Sequence, residues 1–149
     1  DTIQRIRESE QLIYDTVRKN ARAVAAQIEK IHTEETAVLY YSNEQALRSV
    51  IKLAYFSYKD HYLKFEELPS GQGYADIVYF PKKTSPLPAL VIELNWNQSA
   101  KGAIQQIKEK AYPSVLSDYG GDILLVGISY EKDNTKTFFQ LLYKHKQMR

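Results

Sequence analysis

GYADIVYFPKKTSPLPALVIELNWNQSAKGAIQQI, residues 73–107, is the stretch whose reading decides the fold. It holds two short apolar runs, Tyr74 to Phe80 and Leu90 to Trp96, both rich in β-branched and aromatic residues. That composition predicts two strands. Each run carries one carboxylate where an apolar residue is expected, Asp76 in the first and Glu93 in the second. A carboxylate inside a buried strand is costly unless something compensates it.

Alternation along a strand sharpens the point. Tyr74, Asp76 and Val78 share one face of the first strand; Val91, Glu93 and Asn95 share one face of the second. If the strands are neighbours, Asp76 and Glu93 converge on one spot. A single compensating partner then serves both. A hard cation such as Mg²⁺ (or Mn²⁺) fits, because it takes oxygen ligands from one or two carboxylates and keeps several waters.

Outward from this stretch the chain reads as follows. Upstream, Ser70-Gly71-Gln72-Gly73 is turn chemistry joining a strand over residues 61–68 to the Asp76 strand as a hairpin. Before that, Ser42-x-x-Gln45 forms a capping box, followed by an apolar helix face at Leu47, Val50, Ile51, Ala54, Tyr55 and Tyr58. Glu44 lies seven residues before Ile51, so within about 20° of its direction on the helix. It therefore points with the core face, or it simply complements the helix dipole. Earlier still, two stripes predict a helical hairpin: Ile3, Ile6, Ile13 and Val17 with Leu12 beside them, then Val24, Ile28 and Ile31. Asn20 is placed to cap the second helix.

Downstream, Pro81 ends the strand, and Lys82-Lys83 opens a polar loop. After Trp96, Ala100, Ala103, Ile104, Ile107 and Ala111 make the inward face of a helix that Pro113 terminates. Gln106 and Lys110 flank that face on one side, Lys101 and Lys108 on the other. Asp122 to Tyr130 is a nearly continuous apolar run, expected as a buried strand, and Thr137 to Tyr143 as an edge strand. The 99–112 helix should link two parallel strands by a right-handed crossover.

Composition sets bounds. A chain of 149 residues, 44% hydrophobic and 26% charged, is globular and long enough for its own core. A net charge of +2 does not by itself call for a nucleic-acid partner. The absence of cysteine excludes disulfides, thiolate catalysis and Cys-zinc sites. No apolar run reaches the roughly 18 residues of a membrane span, and no signal peptide is visible, so a cytoplasmic protein without a membrane partner is expected. The chain opens on Asp1, as expected of the C-terminal fragment of a longer protein.

An Asp on one strand, a Glu two residues before a polar position on the next, then a helix carrying Gln resembles the PD-(D/E)XK nuclease superfamily. More closely, the chain resembles the nuclease-like domain found behind an AAA-ATPase-like domain in many bacterial proteins. The matching pieces are IHTEET, YSNEQAL, LPSGQGYADIV, PKK, ALVIELNW, SAKGAIQQIKEKAY and GGDILLVGISY, spread over about residues 30–130. The resemblance implies an α/β fold with a restriction-endonuclease-like core, in the order α-β-β-β-α-β, whose mixed sheet is flanked by helices. Residues 1–36 would be a helical lead-in and residues 37–149 the nuclease-like domain. It implies a metal site of Asp76, Glu93, the Leu94 carbonyl and Glu44, with Gln106 and Tyr112 near it. Gln72, Lys82, Lys83 and Lys101 become candidate contacts to nucleic acid, chiefly DNA, and an ATPase-like domain upstream becomes the expected partner. Oligomeric state is not readable.

One position departs from the pattern. Asn95 stands where the family usually has lysine, and it is carried as a catalytic candidate that donates a hydrogen bond without a charge. Lys101, Lys108 and Lys110 are candidates to take the missing place. Two functions follow. One is a metal-dependent DNA or RNA phosphodiesterase. The other is a degenerate nuclease fold kept to bind nucleic acid or partners for the ATPase-like domain. A structural ion pair of Asp76 and Glu93 with lysines is a third reading.

Overall fold

A computed structural model describes residues 2–39, 44–69, 74–96, 116, 119–131 and 136–145. Three helices come first: α1 (Thr2–Val17), α2 (Ala21–Leu39) and α3 (Glu44–Ala54). A short 3-10 segment, Phe56–Asp60, leads into the sheet. Five strands follow: β1 (Tyr62–Pro69), β2 (Tyr74–Pro81), β3 (Ala89–Trp96), β4 (Asp122–Glu131) and β5 (Lys136–His145).

The helical hairpin is built by its connecting turn. The Asn20 amide donates to the Asp15 carbonyl and the Lys19 amide to the Thr16 carbonyl. This is the Schellman pattern that closes a helix C-terminus. Lys19 takes the left-handed position, φ 63°, where glycine is usual. Asn20 then caps α2, its side-chain oxygen accepting from the Ala23 amide at 3.2 Å, as its sequence position predicts. The capping box at Ser42 falls outside the described residues.

The strands stand side by side in chain order, β1-β2-β3-β4-β5. All neighbours are antiparallel except β3 and β4, which are parallel, so the sheet is mixed. The expected hairpin of β1 and β2 is present, and its open end is tied by the Lys82 amide donating to the His61 carbonyl. A parallel β3–β4 pair requires a crossover. The helix predicted there, over 99–112, lies outside the described residues. β5 is the edge strand expected from sequence, and it runs past Tyr143 through Lys144 and His145.

One face of the sheet is covered by the helices. Leu90, Ile92 and Leu94 of β3 meet Val50, Ile51 and Ala54 of α3, Leu12 and Ile13 of α1, and Val24, Ile28 and Ile31 of α2. The N-terminal helices thus share a core with the sheet, and α2 continues past the 36/37 boundary drawn from sequence. The other face carries a smaller cluster, in which Val78, Ala89, Val91, Ile123 and Leu125 pack with Leu116. Phe80 and Tyr119 border it edge to face, and a side chain on Gly121 would collide with the Tyr119 ring.

The stripe read on α1 is only half used. Leu12 and Ile13 are buried, but Ile3 is 64% and Ile6 37% exposed. The buried face of α1 is Ser9, Leu12, Ile13 and Thr16, so the apolar pattern runs two turns beyond the core that it covers.

Candidate functional site

β3 turns its side chains alternately to the two faces of the sheet. Leu90, Ile92 and Leu94 enter the helix-covered core. Ala89 and Val91 enter the other cluster, and alternation puts Glu93 on their side. Glu93 is 6% exposed, and among the described residues it is the one charged side chain that is buried. The only other polar side chains in that class are Ser9 and Thr16, hydroxyls that hydrogen-bond on the helix side.

The register shows what surrounds this position. Val78 pairs with Val91 and Ile77 with Ile92 across β2 and β3. Asp76 belongs to β2 and directly precedes Ile77; its side chain is outside the described set. On the other flank, Glu93 pairs with Gly127 of β4, and Asn95 with Ser129. Gly127 was not singled out by the sequence reading, which took Asp122 to Tyr130 as one apolar run. The available signal was a glycine inside a strand pattern, which marks a bulge or a close approach. Opposite Glu93, it puts a position without a side chain next to the buried carboxylate.

The other sequence-predicted residues are placed unevenly. Leu94 is buried at 2% exposure, its side chain in the helix-facing core. Glu44 is the first residue of α3, the helix that packs on the face opposite Glu93; its side chain is outside the described set, as is that of Asn95. Gln72, Lys101, Gln106 and Tyr112 lie outside the described residues altogether. Lys82 and Lys83 are exposed just beyond the end of β2. Lys82 is six residues from Asp76, which at about 3.3 Å each puts it roughly 20 Å along the strand direction, with Lys83 next in the turn. Lys82 is occupied there, its Nζ donating to the Lys59 carbonyl.

Two further lysines deserve placing because the motif lysine is missing. Lys64 pairs across the β1–β2 ladder with Tyr79, a residue of the helix-covered core, so both belong to that face. Lys64 and Lys52 of α3 both engage Glu66, at 3.5 and 3.3 Å. Burial pushes the Glu66 carboxyl up, but its bonds and charge interactions with Lys52 and Lys64 outweigh that and hold it below the ordinary value. This cationic group lies across the sheet from Glu93 and does not supply the missing charge.

Among the described residues no three His, Asp or Glu side chains cluster as a metal site. The chemistry of the donors that are present fits a hard divalent ion: a buried carboxylate, next to a bare backbone position, on a strand that pairs with the one carrying Asp76. A cavity of about 250 Å³ opens on the helix side, lined by Glu8, Gln27 and Lys30 among others, and so is remote from this group. No helix among the described residues is long and apolar enough to cross a membrane.

Residues 42–139 match the family model of the PD-(D/E)XK nuclease superfamily. No curated protein and no solved structure matches the chain.

Proposed function

The chain belongs to the PD-(D/E)XK nuclease superfamily, and from that premise we propose that it is a divalent-metal-dependent phosphodiesterase acting on nucleic acid, with Asp76 and Glu93 as its principal metal ligands. The observation that carries this reading is the burial of Glu93 one step from the Ile77–Ile92 pair. The β2–β3 ladder ends at that pair; were its register to run one residue further, Asp76 would stand across from Glu93, and directly opposed residues of an antiparallel pair share a face.

In this reading the Asp76 and Glu93 carboxylates and the Leu94 carbonyl would hold Mg²⁺ or Mn²⁺, and Glu44, on the helix that covers the opposite face of the sheet, is left out of the set. Such an ion, when bound, would supply a water of lowered pKa and a positive charge against the phosphodiester. Asn95, two residues after Glu93, donates an amide hydrogen bond to a phosphate oxygen or to the attacking water. Gln106 orients the same water. Lys101, Tyr112 and Gln72 contact the nucleic acid near the cleaved bond. Lys82 and Lys83 reach only the flanking backbone, as their roughly 20 Å offset along β2 requires.

One observation favours a second reading. Asn95 carries no positive charge, and the described lysines nearest the sheet serve Glu66 on the other face. A site without that cation suits a module that binds nucleic acid, or a partner, for an ATPase-like domain.

The two readings separate in one assay. Supercoiled DNA, single-stranded DNA and RNA are incubated with the protein in Mg²⁺ or Mn²⁺, beside Asp76→Ala, Glu93→Gln and Asn95→Lys. Cleavage that both carboxylate variants lose, at unchanged melting temperature, supports the enzyme. Cleavage that appears only with Asn95→Lys selects the binding module. No cleavage and no divalent-ion binding in any variant overturns the metal-site reading.

A further inference from the structure

The outer face of α1 carries a feature that neither the fold nor the nuclease reading uses. Ile3 is 64% exposed, Tyr14 51% and Ile6 37%, and the intervening Arg7, Glu10 and Gln11 are exposed too. Positions 3, 7, 10 and 14 follow one another at steps of four, three and four, so they form one stripe along the helix. Arg7, Glu10, Gln11 and Tyr14 line a shallow depression of about 350 Å³ at the C-terminal part of that stripe. The apolar knobs, Ile3 and Ile6, stand at its N-terminal part.

We propose that this face is a self-complementary docking surface for a second copy of the chain, with the two α1 helices packed antiparallel about a two-fold axis passing between residues 8 and 9. A two-fold contact sets each residue against its mirror position. Here Ile3 meets Tyr14 of the other copy, and Ile6 meets Gln11. Arg7 meets Glu10, and Glu10 meets Arg7. The same operation that pairs the opposite charges also seats Ile3 and Ile6 in the partner's depression. An unrelated occupant would have no reason to match this internal order. The commitment to a second copy rests on that charge complementarity, which occurs twice in the dimer by symmetry. It is independent of the metal site.

The contact is small. From Ile3 to Tyr14 the helix rises about 17 Å, so the buried area falls at the low end for specific interfaces and the dimer is weak. Tyr14 keeps its own support, since the Arg18 guanidinium lies 5.0 Å above its ring.

Sedimentation equilibrium from about 5 to about 500 µM tests the proposal in the range where such a weak contact becomes populated. The wild-type chain should move from monomer to dimer across it. Arg7→Glu alone sets Glu against Glu twice, and Glu10→Arg alone sets Arg against Arg twice; each should weaken the dimer at least about tenfold. The double exchange of both residues should restore it. Ile3→Ser should weaken it through the apolar contact alone. All three substitutions are at exposed positions, so an unchanged circular-dichroism melt accompanies each variant. A wild-type chain that stays monomeric at the highest concentration overturns the proposal, and the face then belongs to another chain or segment. A dimer that Arg7→Glu and Ile3→Ser leave intact also overturns it, and so does a double exchange that fails to rescue.

Discussion

Ile92 and Glu93 are neighbours in sequence and face opposite ways. Ile92 enters a core closed by three helices, where it, Leu90 and Leu94 of β3 find apolar partners. Glu93 enters a face that is apolar at one end, through Ala89, Val91, Ile123 and Leu125, and then abruptly carries a buried carboxylate opposite a glycine. The first face does what burial of apolar area does: it stabilises. The second gives up part of that stabilisation at one row of the sheet. A fold under no functional demand would place an aliphatic residue at 93 and a larger side chain at 127. The contrast separates what holds the molecule together from what it is for.

The largest expected effect breaks the functional side alone. Glu93→Gln should reduce cleavage by about 10²–10³-fold, because the ion that would offset the developing charge loses a carboxylate ligand. The same variant should keep its melting temperature, because the amide fills the same space as the carboxylate. Nuclease rate and calorimetry on one preparation check both halves. Ile92→Ala should do the reverse. It should destabilise the chain by about 2–5 kcal/mol in urea titrations, through lost transfer energy and the cavity left behind. Its activity at a temperature where it remains folded should change little.

Much of this division was legible in the residues. Alternation along the second run separates Glu93 from Ile92 in the sequence itself, and residues 74–80 and 90–96 carry enough β-branched and aromatic content to be read as strands. The helix faces at Val24, Ile28 and Ile31 and at Val50, Ile51 and Ala54 were legible for the same reason: a 3.6-residue period is a local property. What was hidden is non-local. Ile3 and Ile6 continue the period of Ile13, but periodicity does not tell where the covering elements stop. Gly127 becomes part of the site only through its register with Glu93, a pairing made between positions 34 apart in sequence. Thr16 and Ser9 look like ordinary helix polar residues until their partners, thirty-nine and forty-eight residues away, are in place.

Thr16 sharpens the comparison from within the helix-covered face. Its hydroxyl donates to the Leu12 carbonyl at 2.8 Å, so its single proton is used. At the 2.7 Å contact with Tyr55, the phenol is therefore the donor. Burial pushes the Tyr55 phenol well above its ordinary value, with only the Thr16 bond opposing, and it stays neutral. Thr16→Val leaves that buried hydroxyl without its acceptor and should cost about 1–3 kcal/mol, while adding Tyr55→Phe should recover part of the loss. Tyr79 is the control. Its hydroxyl is buried with no hydrogen-bond partner among the described residues, so Tyr79→Phe should be neutral or stabilising by up to about 1 kcal/mol. A penalty there as large as that of Thr16→Val would mean the helix-covered face also hides a working polar group.

The smallest effect compares the two carboxylates that the sheet separates. Glu66 is about a third exposed and held below its ordinary value against the opposing push of burial, by Lys52 and Lys64. A depressed folded value means that its contribution is fully present above the unfolded carboxylate range. It is lost as pH falls through the folded value, so the window lies in the acid limb below the ordinary glutamate range. Exposed pairs of this kind contribute a few tenths of a kcal/mol after screening. Glu66→Gln should therefore flatten the stability profile slightly in that limb, with high salt mimicking it, and leave the pH profile of cleavage untouched. Glu93→Gln should lower cleavage at every pH without reproducing that flattening. If instead Glu66→Gln moves the cleavage profile, the cationic group it binds is acting through the sheet, and the two faces are not the separate devices that Ile92 and Glu93 make them.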